Sequence, residues 1–252
     1  MIEKRWMEFR EDYGIPLGQA MHFADIKHLL DPKSAHNETW ENIFSNSNEE
    51  LDYEKLYHFY QDLLSLIHDL PFIIQVTGYR WNPSHHIRSV SKNYRKQHIY
   101  YHPYIAFREH LNLMSYYLLD LHHIEKKRRK KITKLRYDGD IGLGERDDIK
   151  EAYHHSITLG TKHFRPQTVT ELFDEIRFIG KNEVAQNATI THAGCEIVDF
   201  VTTICARDLW QVETEKILLK FPDSKVIDPL PTIRSKILHS QKIDDVYFEE
   251  NT

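Results

Sequence analysis

From Leu51 to Leu70 the apolar positions Leu51, Leu56, Phe59, Tyr60, Leu63, Leu64 and Ile67 recur at three- and four-residue steps, and Pro71 then opens the run Phe72-Ile73-Ile74-Gln75-Val76-Thr77. The first pattern predicts an amphipathic helix of about five turns. The second is short and β-branched, which predicts a largely buried strand. A helix followed at once by a strand constrains the chain more than any other feature. The strand needs a sheet partner, and the helix needs a surface for its apolar stripe. Similar material recurs further on. KITKLRY (131–137) alternates Ile132, Lys134 and Arg136 against Thr133, Leu135 and Tyr137, and runs into the turn-rich DGDIGLGERDD. Residues 147–159 predict a helix closed by Gly160, and HFRPQTVTELFDEIRFIG predicts one or two further strands. Strands alternating with helices predict an α/β sheet with helices on its faces.

Other elements fit around this frame. Residues 2–13 have helical character and stop at Gly14, with Pro16 beyond. MHFADIKHLLDP is short and ended by proline, and a helix of about 25 residues runs on from Pro103, its cationic end matched to the helix dipole. NPSHHIRSVSKNYRKQHIY (82–100) is polar and basic with no period and predicts a mobile connection. TITHAGCEIVDFVTTICARDLW (189–210) predicts another helix, ETEKILLKF a further helical segment, and the stretch around Pro229 and Pro231 a loose tail. No repeat or linker divides the chain, so the expectation is one domain over 1–252, with its core at about 20–210 and a helical, then loose, tail over 211–252.

Composition excludes several classes. A net charge of −5 over 252 residues leaves no overall electrostatic attraction for nucleic acid, so local basic patches must carry any such role. The two cysteines, Cys195 and Cys205, match no zinc spacing and form no disulfide framework, which points to a reducing, cytoplasmic setting. MIEKRWMEFREDYG lacks the apolar stretch of a signal peptide, and no run reaches the roughly 18 apolar residues of a membrane span. Adjacent histidines at 85–86, 122–123 and 154–155 point about 100° apart on a helix and do not chelate as pairs. GxxxxGK[ST], GxSxG and HExxH are absent, GLGE at 142 lacks the dinucleotide-fold fingerprint, and Cys195 lies on the apolar side of its helix and reads as a structural thiol.

The 189–210 helix carries carboxylates inside its most apolar part. On a helical wheel His192, Glu196, Asp199, Thr203 and Arg207 share one stripe, while Ala193, Ile197, Val198, Val201, Ile204 and Cys205 cover most of the rest. Glu196 and Asp199 are neighbours one turn apart and repel slightly. Periodicity alone reads them as the solvated edge of an amphipathic helix. The sharper alternative is a hard-cation site facing a second carboxylate cluster, and Asp138 and Asp140 supply one directly after a predicted strand. An EF-hand loop beginning at Asp138 fails, because its sixth position is Leu143 and its twelfth is Ile149. Aspartates and glycines there also serve a tight turn without any ligand.

GCEIVDFV (194–201) resembles the G-L-Q-L-A-D-L-V signature of the domain of unknown function 3800 family, whose fold is similar to RNase H. YIAFREHLNLMSYYLLDL resembles that family's central helix, KLRYDGDIG with the later LGT (159–161) its strand ending in an aspartate and the Gly-Thr beyond, and MHFADIKHLL its segment before the first long helix. The similarity spans about residues 20–210. It implies an RNase H-like mixed sheet flanked by helices. It also implies metal-dependent phosphodiester hydrolysis with Mg²⁺ or Mn²⁺ held by Asp138, Asp140 and Asp199, and Glu196 as auxiliary ligand or base where the family has glutamine. Glu196 in place of glutamine either adds a ligand or is simply tolerated, whereas the missing D-E-S-G of the family's first strand, which implies a truncated chain or a relative that has lost its first strands, stands against activity. A catalytically silent nucleic-acid or protein binding module on the same scaffold is the alternative. KKRRKKITKLR (126–136) carries eight basic residues, enough to hold a phosphate backbone or merely to cap a helix and stay solvated.

Overall fold

A computed structural model describes residues 1–79, 102–124, 133–138, 143–179 and 193–243. In chain order the helices α1 (Ile2–Asp12), α2 (Phe23–His28), α3 (Glu38–Ile43) and α4 (Tyr53–Asp69) come first. Strand β1 (Ile74–Tyr79), helix α5 (His102–Ile124), strand β2 (Thr133–Asp138), helices α6 (Leu143–Leu159) and α7 (Pro166–Leu172), and strand β3 (Phe173–Ile179) follow. Helix α8 (Ala193–Trp210), strands β4 (Leu219–Lys220) and β5 (Val226–Ile227), helix α9 (Leu230–Lys236) and strand β6 (Ile237–Ile243) complete the set. The class is mixed α/β, rich in helix, with small parallel and antiparallel sheets. None of the described helices is long and apolar enough to cross a membrane.

The packing divides the chain into two compact units, residues 1–74 with 180–238 and residues 75–179 with 239–252. In the first, the 51–70 periodicity becomes α4. The Asp52 side chain accepts from the Lys55 amide and caps its first turn, and Leu56, Phe59, Tyr60, Leu63, Leu64, Leu66 and Ile67 are buried. The Phe59 ring lies 5.2 Å from Phe9, 5.2 Å from Tyr13 and 5.1 Å from Phe44. Helix α1 stops where Gly14 takes φ +68°, a conformation glycine adopts without steric cost. Strands β4 and β5 pair antiparallel, Leu219 opposite Ile227.

The second unit is built on a β-α-α-β segment. β2 and β3 are parallel, with Leu135 opposite Ile176, Arg136 opposite Arg177, Tyr137 opposite Phe178 and Asp138 opposite Ile179. Parallel neighbours need a long crossover, and α6 and α7 supply it. One face of the pair carries the core: Leu111 of α5, Leu135, Val169, Leu172 and Phe173, with Phe107, Met114 and Ile176 packed against them. The other face presents Lys134, Arg136, Glu175 and Arg177, all exposed. Strands β1 and β6 pair separately.

Several expectations are corrected. The first half of HFRPQTVTELFDEIRFIG is helix α7, with Pro166 in its first turn, and only 173–179 is strand. Proline there loses no hydrogen bond and pre-sets φ, so it starts the helix despite the β-branched Thr-Val-Thr. Helix α6 begins at Leu143, inside the expected turn. The ETEKILLKF segment is a single 3-10 turn, Thr214–Lys216, followed by β4. The expected loose tail contains β5, α9 and β6 as far as Ile243. Helix α3 was not expected; Asn37 caps it by accepting from the Thr39 amide. The 82–100 connection lies outside the described residues.

Candidate functional site

Glu196 is not on a solvated edge. It is 3% exposed, because α8 buries Ala193, Cys195, Glu196, Ile197, Phe200, Val201, Ile204 and Cys205, more than half its circumference. A carboxylate in such a place requires a countercharge and several donors. Both are present. Arg10 of α1, itself 0% exposed, donates from Nη1 to Oε1 at 2.8 Å and to Oε2 at 3.0 Å. The Trp6 indole Nε1 donates to Oε2 at 2.6 Å, and the Met21 amide donates to Oε1 at 2.9 Å. The other guanidinium nitrogen, Nη2, donates to the carbonyls of Pro16 and Gln19. One turn on, half-buried Asp199 accepts from the Phe23 amide through Oδ2 at 3.0 Å, and the Phe23 and Phe200 rings lie 4.8 Å apart. The two α8 acids therefore hold the segment from Pro16 to Phe23 against the helix. The repulsion foreseen between them is relieved by Arg10 and two backbone amides.

A hard cation wants oxygen ligands free of competing donors. At Glu196 both oxygens already receive donors, one of them a guanidinium that would repel a second cation, so this carboxylate does not fit a metal ligand or a base. Asp199 and Glu196 are brought together on α8 in the first unit, whereas Asp138 ends β2 in the second, and Asp140 and His192 lie outside the described residues. Of the rest of the wheel stripe, Thr203 is exposed, and Arg207 donates to the Lys216 carbonyl at 3.0 Å. Among the described residues no three His, Cys, Asp or Glu side chains are grouped to share an ion. Both cysteines are buried thiols outside any disulfide, and burial, with Asp208 nearby, pushes the Cys205 thiol up to about 11.

Sequence reasoning missed Arg10 and Trp6. The signal was available: on α1 an arginine shares the buried stripe of Trp6 and Phe9, and a charge there requires a buried opposite charge elsewhere.

The second unit holds another polar group. The Tyr104 hydroxyl bonds His155 Nδ1 at 2.7 Å and accepts from Arg108 Nη1 at 3.2 Å, while Arg108 Nη2 donates to the Gly160 carbonyl at 2.8 Å. Asn112 Oδ1 accepts from Thr161 Oγ1 at 2.8 Å and from the His163 amide at 3.3 Å. These bonds fasten α5 to the turn between α6 and α7 and give His155, of the 154–155 pair, a structural partner.

On the exposed face of the β2–β3 pair, Arg136 and Arg177 stand opposite in register, and Lys134 lies two residues before Arg136 on the same face. Arg177 donates from Nε to Glu175 Oε1 at 2.5 Å and also pairs with it through Nη2. Arg136 donates from Nη1 to the adjacent Leu135 carbonyl at 3.0 Å. Of the 126–136 basic run, residues 126–132 lie outside the described residues. Comparison with family models, with curated proteins and with solved structures gives no match to this chain.

Proposed function

We propose that the chain is a catalytically silent binding module on an α/β scaffold of RNase H-like type. The observation that carries the reading is the state of Glu196, whose two oxygens receive Trp6, Arg10 and the Met21 amide in a buried setting. Phosphodiester hydrolysis with hard ions uses several carboxylates that clamp the metals and leave positions for water and substrate. Here the buried acid of α8 anchors the chain's own N-terminal segment, and Asp199 contributes to the same anchorage. The scaffold part of the proposal is supported by the parallel β2–β3 pair with its helical crossover and by the long helix α5 packed on it.

One observation favours the second reading, metal-dependent cleavage with Mg²⁺ or Mn²⁺. Asp138 ends a parallel strand at its carboxyl end, where α/β folds bind ligands. The two readings separate in one assay: labelled single- and double-stranded DNA and RNA are incubated with the protein and either ion, with Asp138→Asn and Asp199→Asn alongside. The silent reading expects no products from any of the three proteins. Ion-dependent products from the wild type that vanish in both variants would replace it with the hydrolase reading.

A further inference from the structure

Parallel sheets are ordinarily covered on both faces. Among the described residues the β2–β3 pair is covered on one, by the apolar cluster of α5 and α7, while the side chains of its other face are exposed and charged. The composition of that face excludes an apolar cover. It carries Lys134, Arg136, Arg177 and Glu175, a net charge of +2, in a protein whose overall charge is −5. The register puts Arg136 directly beside Arg177 on neighbouring strands, about 4.8 Å apart. Like charges so placed destabilise a strand pair, and no partner from another element is needed to explain where these guanidiniums point, since their bonds are to Leu135 and Glu175 on their own strands. Lys134 extends the row by two residues, about 6.6 Å, along β2.

We infer that this face is a docking surface for a phosphodiester backbone, with Lys134, Arg136 and Arg177 as the contacting cations and Glu175 as an internal competitor. The inference rests on the binding-module reading and supplies its partner. Closely spaced cations on an extended, twisting strand pair match a ligand whose negative charges are also strung along a line, and guanidinium groups bond phosphate oxygens through paired N–H donors. Glu175 binds Arg177 through both Nε and Nη2, the fork that a phosphate would take. In the free protein one of the three cations is therefore already neutralised.

The competitor role gives a test whose sign a merely solvated patch does not reproduce. A fluorescein-labelled single-stranded oligodeoxynucleotide is titrated with the full chain by fluorescence anisotropy across a salt series, for the wild type, Lys134→Ala/Arg136→Ala and Glu175→Gln. Each phosphate contact contributes about 0.7 to the slope of log K against log salt on a single strand. Removing two contacts should make the slope shallower by about 1.4, whereas Glu175→Gln, by freeing Arg177, should tighten binding and steepen the slope by about 0.7. All the substituted side chains are exposed, so folding is retained, and the Glu175→Gln gain cannot arise from a folding defect. No binding by the wild type, an unchanged slope in the double variant, or competition by polyglutamate equal to that by unlabelled oligonucleotide would each overturn the inference. Cleavage of the same oligonucleotide would be seen separately, by electrophoresis, and would count against the silent reading and not against this surface.

Discussion

Replacing Arg10 by methionine isolates the role assigned to Glu196. The substitution removes the guanidinium but keeps much of its volume, so the main change is electrostatic: a carboxylate that is 3% exposed loses the one countercharge among its hydrogen-bond partners in the described residues. Stranding one partner of a buried ion pair costs about 3–5 kcal/mol. The upper end is expected, because the carbonyls of Pro16 and Gln19 lose their donor in the same step. Urea unfolding followed by tryptophan fluorescence reads the effect, since Trp6 and Trp40 are both fully buried in this unit. With a urea dependence of about 2 kcal/mol/M, the midpoint should fall by about 1.5–2.5 M. Glu196→Gln strands Arg10 instead and should cost a similar amount. The double variant Arg10→Met/Glu196→Leu removes both charges and should recover part of the loss. It should still fall short of the wild type by about 1–3 kcal/mol, because the Trp6 indole and the Met21 amide keep no acceptor there and the Pro16 and Gln19 carbonyls no donor. If both single variants stay within about 1 kcal/mol of the wild type, the buried-pair account is wrong and the claim that Glu196 is committed to structure falls with it.

Three further outcomes follow from the same kind of reasoning. Burial holds the His110 imidazole below its ordinary range, so the unfolded chain binds a proton that the native state refuses; its contribution to stability is full above about pH 6.5 and is lost as the pH falls from there through the lowered native value. His110→Leu should flatten that acid limb in pH-dependent melting, and an unchanged limb would assign the acid sensitivity elsewhere. Gly160 sits at φ +87°, and a Cβ there would meet the Phe164 carbonyl oxygen and Pro166, so Gly160→Ala should destabilise the second unit by about 2 kcal/mol or more in denaturant titration; a loss below about 0.5 kcal/mol would show that the turn relaxes freely. Asp199→Ala removes the acceptor for the Phe23 amide at the start of α2 and should cost about 1 kcal/mol, raising proteolysis within residues 16–23; an unaltered cleavage pattern would mean that Asp199 does not hold this segment.

Periodicity made the long helices and the β2 strand legible, since each carries its own burial pattern whatever it packs against: the 51–70 stripe becomes α4, and the described part of the alternating stretch, from Thr133 on, is β2. It failed where tertiary context or a terminus decides. Thr168, Val169 and Thr170 have strand propensity, yet Pro166 starts a helix over them, and the Leu219–Lys220 strand is too short to carry a period at all. The depth of Glu196 was illegible for a different reason. A helical wheel sorts residues into two faces and assumes that charge means water, but Glu196 is one half of a pair whose other half lies 186 residues away. Neither helix shows the pairing alone. Each shows only a charge among apolar neighbours: Arg10 beside Trp6 and Phe9, and Glu196 beside Cys195 and Ile197. A buried charge is tolerated only with its opposite, so two such anomalies of opposite sign in one chain are evidence for each other. On that argument the most informative feature of the 189–210 helix is not the spacing of its carboxylates but the depth of one of them, and a metal site on α8 would first have to displace the segment that those carboxylates hold.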